Sequence, residues 1–227
     1  MMTRNNLMNM LRLSSQSLPT GAFSYSQGME WLVDTQRIHN ESTVYEWVAS
    51  ILLGPYANYE LPILREMFDA WNRVDHQAIE VLNLDYLSSR ETVEIQKETL
   101  QMGYALRAVI REMDTASNHS TEFLSQLDNL SFPVGFSFCC NQNGLSVDEM
   151  LTSYVWSFIE NQILVAIKAV PLGQSAGQRL LNVLIPAGDE AVRTSLLVDV
   201  NDWSNFSPLQ AIASAKHETQ YSRLFRS

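Results

Sequence analysis

The sequence predicts an all-α fold on three grounds: capping boxes ahead of apolar-periodic runs, no alternating run that supports a sheet, and glycines and prolines placed mostly at segment boundaries. Thr43 with Glu46, Ser88 with Glu91 and Ser146 with Glu149 each read as a box opening a helix. Between the first two, Tyr56 to Trp71 reads as helical with a kink or break at Pro62. The second box opens Arg90 to Met113, where Arg90, Glu94, Lys97 and Gln101 fall near one face. Leu100, Tyr104, Val109, Ile110 and Met113 offer apolar contacts elsewhere. The third opens Val147 to Val170, which is apolar around most of its circumference and therefore belongs at the centre of a bundle. Gly54-Pro55, Pro171 and Pro186 read as boundaries, and Ser207-Pro208 as an N-cap with a first-turn proline. The expectation is a single-domain helical bundle of roughly eight to ten helices spanning 1–227, with segments 1–15 and 218–227 flexible until docked. Leu18 to Tyr25 is loosely echoed by Phe132 to Phe138, a hint of two related halves joined near the polar stretch Asp114 to Thr121.

Composition bounds the function. At 227 residues and 25.8 kDa the chain buries enough surface on folding, roughly 37,000 Å² unfolded against 10,500 Å² folded, to need no disulfide or metal. With 46% hydrophobic and 18% charged residues it is no disordered tail protein. The net charge of −10 makes nucleic acid and anionic membrane poor partners and suits a basic protein or a cation. The first 19 residues lack the features of a signal peptide, and no stretch is apolar enough for a membrane span, so a cytoplasmic location is expected. Cys139 and Cys140 are adjacent, which fits neither an ordinary disulfide nor a Cys-x-x-Cys clip.

The letters offer few catalytic constellations. Gly173-Gln174-Ser175-Ala176-Gly177 satisfies a nucleophile-elbow pattern, and Asp199 or Asp202 and then His217 complete a serine-hydrolase order. That reading needs a strand before Ser175 and a sheet around it; Ser175 as an N-cap with punctuating glycines explains the same residues. His217-Glu218 opens like a zincin motif but lacks the second histidine, and the four histidines show no ligand spacing. Phosphate-binding glycine loops are absent. No catalytic residue, cofactor or metal ligand is therefore assigned. Two stretches favour surface work instead. Gly21 to Glu30 packs Phe23, Ser24, Tyr25 and Gln27 between glycines, and the chain closes on Arg223-Leu224-Phe225-Arg226, basic and apolar on an acidic body. Such a segment is expected to dock, on its own body or on a partner.

Four blocks carry a family resemblance: Leu18 to Trp31, Ser89 to Gly103, Val170 to Leu181, and His217-Glu218 with Arg223 to Ser227. Together they span nearly the whole chain, in order, and resemble the urease accessory protein UreF family. The resemblance implies an all-helical, non-enzymatic chaperone that acts as a cytoplasmic homodimer. It would bridge UreD (UreH in some species) and the GTPase UreG on apo-urease, promote nickel insertion and modulate GTP hydrolysis. It makes Gly21, Phe23, Ser24, Tyr25, Gln27, Glu30, Gly173, Gln174, Gln178, Arg179, His217, Glu218, Arg223, Leu224, Phe225 and Arg226 candidate partner-binding residues. Arg179 and Arg223 are also the candidates for an arginine donated to the partner GTPase. A serine hydrolase built on Ser175 and a direct nickel carrier stand as the alternatives.

Overall fold

The helix Val147–Ala169 (α9) organises the molecule because its apolar residues cover more than one face. Leu151, Tyr154, Val155, Phe158, Ile159, Ile163 and Ala166 are all buried along it. Its start is fixed by the reciprocal box expected from the sequence, in which Glu149 N–H donates to the Ser146 hydroxyl and Ser146 N–H to the Glu149 carboxylate. In the computed structural model, which describes residues 2–113 and 119–227, α9 contacts α1 (Arg4–Leu13), α2 (Met29–Asp34), α3 (Glu41–Ile51), α4 (Leu61–Asn72) and α10 (Gln174–Ser195). The other helices are α5 (His76–Ser88), α6 (Val93–Met113), α7 (His119–Gln126), α8 (Phe132–Gln142) and α11 (Pro208–His217). α8 sits between α4 and α6, and α11 lies across α2 and α6. The helices α3 and α4 are joined by the π-wound segment Leu52–Glu60, which is kinked at Gly54, and the described residues contain no strand, as the sequence predicts. Among the described residues no helix is long and apolar enough to cross a membrane.

Several boundaries differ from the sequence reading, each for a local reason. The first box is made by Asn40 with Thr43 rather than Thr43 with Glu46, because Asn40 is the extended residue whose side chain reaches Thr43 N–H. Ser88 closes α5 instead of opening α6; Thr92 takes that role, its hydroxyl accepting from Ile95 N–H. The break near the second segment falls at Gly54, whose backbone is non-helical ahead of Pro55. Pro62 occupies the first turn of α4, where a missing N–H costs nothing. Pro186 lies inside α10 and marks no boundary. The echoed segments take different local forms, a loop with a 3₁₀ turn at Ala22–Ser24 against the opening turns of α8. Residues 114–118 of the stretch expected to join two halves lie outside the described residues, as does the side chain of Met113.

At the meeting of α4, α5, α6 and α9 the interior holds a charge. Glu60 accepts from Tyr86 Oη at 2.7 Å, Tyr154 Oη at 2.6 Å and Arg90 at 3.1 Å, and the Arg90 guanidinium stacks over the Tyr86 ring at 4.1 Å. Burial pushes both tyrosine hydroxyls well above their ordinary range, so they remain donors. Breaking such a pair from one side leaves an uncompensated buried charge. Arg90→Ala is expected to lower stability by about 3–5 kcal/mol, read as a fall of roughly 10 °C in thermal midpoint.

Candidate functional site

The glycines and aromatics of Gly21 to Glu30 form a loop with two left-handed glycines, Gly21 (φ 77°) and Gly28 (φ 89°). Gly28 also lets α11 approach closely: a Cβ built there would stand 2.8 Å from Ala213 Cβ and 3.0 Å from Ser214 N. The loop leads into α2 and turns Glu30 inward, where it is 8% exposed. Its carboxylate accepts from Leu224 N–H at 2.5 Å and Phe225 N–H at 2.9 Å, and meets His217 Nε2 at 3.0 Å. His217 is fully buried, and its Nδ1 meets Glu94 at 2.8 Å. Carboxylate oxygens thus face both ring nitrogens. Glu94 also accepts from Arg223 at 2.7 Å.

Further along the same groove, Glu98 accepts from Gln27 Nε2 at 2.7 Å and from the Ser227 hydroxyl at 3.0 Å. Arg226 N–H donates to Ser24 C=O at 2.7 Å and Ser26 N–H to Ser227 C=O, so the tail pairs its backbone with the loop. Tyr25 donates to Gln101 at 2.7 Å, and burial raises its phenol above the ordinary range. Phe225 is the apolar anchor, 6% exposed, with the Lys168 ammonium 5.8 Å from its ring centre. Three of the four sequence blocks thus converge: the loop, the first turns of α6, and His217 with the tail.

The candidate residues sort by exposure. Tyr25, Glu30, His217 and Phe225 are interior anchors, whereas Phe23, Leu224, Arg223, Arg226 and Glu218 lie on the exposed rim, and Gly21, Ser24 and Gln27 are half-buried. Gly173, Gln174, Gln178 and Arg179 form a separate exposed patch at the start of α10. There Arg179 pairs with Glu41 of α3, at 3.0 Å through its Nε. The nucleophile-elbow pattern is a helix start. Gly173 is the N-cap, where Ser175 was expected, and Ser175 is the second residue of α10. Gly177 is small because a Cβ would come 2.7 Å from Ile167 Cδ1 of α9. Both nitrogens of His217 are held by glutamates, leaving none to accept from a serine hydroxyl, so the hydrolase reading fails on geometry. Glu94, Glu98 and Gln101 escaped the site reading because nothing in the letters separates them from a solvated helix face. Their one signal was the clustering of α6 charge into its first turns.

Desolvation raises Glu98 from an ordinary 4.5 to about 7, against the opposing hydrogen bonds of Gln27 and Ser227. A raised carboxyl binds its proton more tightly in the folded state. Its contribution to stability is therefore complete below pH 4.5 and is lost as pH rises through about 7. The thermal midpoint is expected to fall between about pH 5 and about pH 8, and Glu98→Gln to flatten that part of the curve. Glu30→Gln puts an amide where only acceptors fit. It is expected to cost about 2 kcal/mol or more and to speed hydrogen exchange at Leu224 and Phe225 relative to the core of α9.

Comparison with known proteins gives the chain's family. The UreF family model matches residues 38–185. The urease accessory protein UreF of Azoarcus sp. (strain BH72) is 41% identical over 223 residues, covering 97% of this chain and 95% of its own. The UreF of Dechloromonas aromatica (strain RCB) is 41% identical with both chains covered completely, and that of Methylobacillus flagellatus 37% identical with 98% of each covered. The family's part in urease maturation is that of an accessory protein, not an enzyme, working with other maturation components. On full-length similarity and a matching family model, the chain belongs to the urease accessory protein UreF family.

Proposed function

We propose that this protein is the scaffold of a urease maturation assembly, joining UreD (or UreH) and the GTPase UreG to apo-urease, promoting nickel insertion and modulating GTP hydrolysis. The observation that carries this reading is the docked tail. Docked on the loop, it leaves Leu224 (64% exposed), with Phe23 of the loop (50% exposed), on the rim of a site whose interior carboxylates are engaged. Exposed apolar side chains beside buried anchors suit a protein partner, since interface cores favour such residues over charge. The start of α10 supplies a second, separate surface, which lets one chain touch two partners. A homodimer in the cytoplasm fits the same role.

A direct nickel carrier is less well supported. Among the described residues no group of three His, Cys, Asp or Glu side chains could hold a metal, and both nitrogens of His217 are engaged by carboxylates. Either Arg179 or Arg223 could reach a partner's nucleotide only by leaving Glu41 or Glu94.

The test is co-purification of the full chain with UreD or UreH, with UreG, and with apo-urease, followed by urease activation. Wild type is expected to retain the accessory proteins and raise activation. Phe23→Ser with Leu224→Ala should weaken capture of one partner about tenfold while leaving the thermal midpoint unchanged, because both side chains are exposed. Failure of the wild type to retain either accessory protein would refute the reading.

A further inference from the structure

Glu98 stands where three segments meet, and each supplies part of the contact. The carboxyl comes from α6, the loop brings Gln27 Nε2 at 2.7 Å, and the tail brings the Ser227 hydroxyl at 3.0 Å. Glu98 is 7% exposed and Ser227 is 1% exposed. The other buried glutamates each meet a basic side chain. Arg90 serves Glu60, His217 serves Glu30, and His217 with Arg223 serves Glu94. Among the described residues Glu98 meets neutral donors only. Ionising such a carboxyl while it stays covered is costly, and the cost falls when water reaches it.

The charged groups around it do not supply the missing cation. Arg90, just before α6, faces Glu98 but is bonded to Glu60, and those two act on Glu98 in opposite directions. Tyr56 of the π-wound segment and Tyr25 of the loop are phenols that burial holds neutral. Tyr154 of α9 donates to Glu60. On α6 itself, Glu94 is taken by His217 of α11 and Arg223 of the tail, while Glu91 and Lys97 are exposed. Arg226 of the tail is turned to Tyr25.

We propose that Glu98 is a pH-sensitive latch for the tail. With its proton it keeps loop and tail closed, and without it the Ser227 end lifts from the loop and admits water to the carboxylate. The carboxyl holds its proton to about 7 when covered, against an ordinary 4.5 in water. Closure is therefore complete below pH 4.5, weakens as pH rises, and levels off above about 7. Opening at the tail is the cheapest way to wet Glu98. Segment 218–227 carries no helix, and its last two residues join the loop through Arg226 N–H on Ser24 C=O and Ser26 N–H on Ser227 C=O. Exposing Glu98 from the other side would unpack α6, and local opening costs less than that. The latch belongs to the free chain and stands whether or not the rim binds a partner.

The experiment uses the full chain with ¹³C-labelled glutamate carboxyls, titrated by NMR from about pH 4.5 to about pH 9. Hydrogen exchange at the Ser26 and Arg226 amides, corrected for its intrinsic pH dependence, is compared with amides in the core of α9. Protection at Ser26 and Arg226 is expected to lie below that of α9 and to fall roughly tenfold per pH unit between about pH 5 and about pH 7. It should level off where the Glu98 carboxyl titrates. In Glu98→Gln the neutral amide can accept from Gln27 and donate to the Ser227 hydroxyl, so protection at the same two amides should stay constant across that range. Where this variant does not fold, the coincidence of the plateau with the Glu98 titration in wild type decides the matter. The proposal is overturned if the two amides exchange only together with the α9 core. It is equally overturned if their protection stays constant while Glu98 titrates, or if Glu98→Gln loses protection as steeply as wild type.

Discussion

Four glutamates, Glu30, Glu60, Glu94 and Glu98, are buried in this protein, and a carboxylate removed from water must be met by donors or give up its charge. That requirement ties distant parts of the chain together. Glu60 gathers α5, α9 and Arg90, while Glu30 and Glu94 hold His217 between them and reach the tail through two amides and Arg223. Glu98 is met only by the neutral donors Gln27 and Ser227, and it is the one whose proton is retained to about 7. Interior order and tail placement therefore rest on one kind of interaction, repeated with different donors.

The same requirement explains why the tail is placed so specifically. Apolar contact alone is non-directional and would let Phe225 settle in more than one register. The amides of Leu224 and Phe225 on a single carboxylate, with Arg226 and Ser227 pairing to the loop backbone, leave one register that satisfies every donor. The tail therefore lies against the body in one ordered arrangement rather than as a loose peptide.

Much of the architecture was legible in the letters because helices are written locally. The apolar circumference of Val147–Ala169 and the Ser146–Glu149 box placed the central helix nearly to the residue, and Ser207-Pro208 placed the start of α11. Boundary errors arose where two local signals competed. Asn40 and Thr43 both resemble caps, and a proline marks a helix start, a kink or an interior position equally well until its neighbours are known. The blocks that carry the family resemblance were also legible, since they are strings of letters.

The sequence by itself determined the all-α class, the central helix, the lack of a credible catalytic motif, and the unusual chemistry of the Gly21–Glu30 and Arg223–Arg226 segments. Only the tertiary structure decided that these two segments belong to one site. It also decided that Tyr25, Glu30, His217 and Phe225 are anchors rather than surface, and that Glu94 and Glu98 complete the site. The physical reason is separation along the chain. Glu30 and Phe225 lie 195 positions apart, and no periodicity or cap reports a pairing that exists only once both are withdrawn from water.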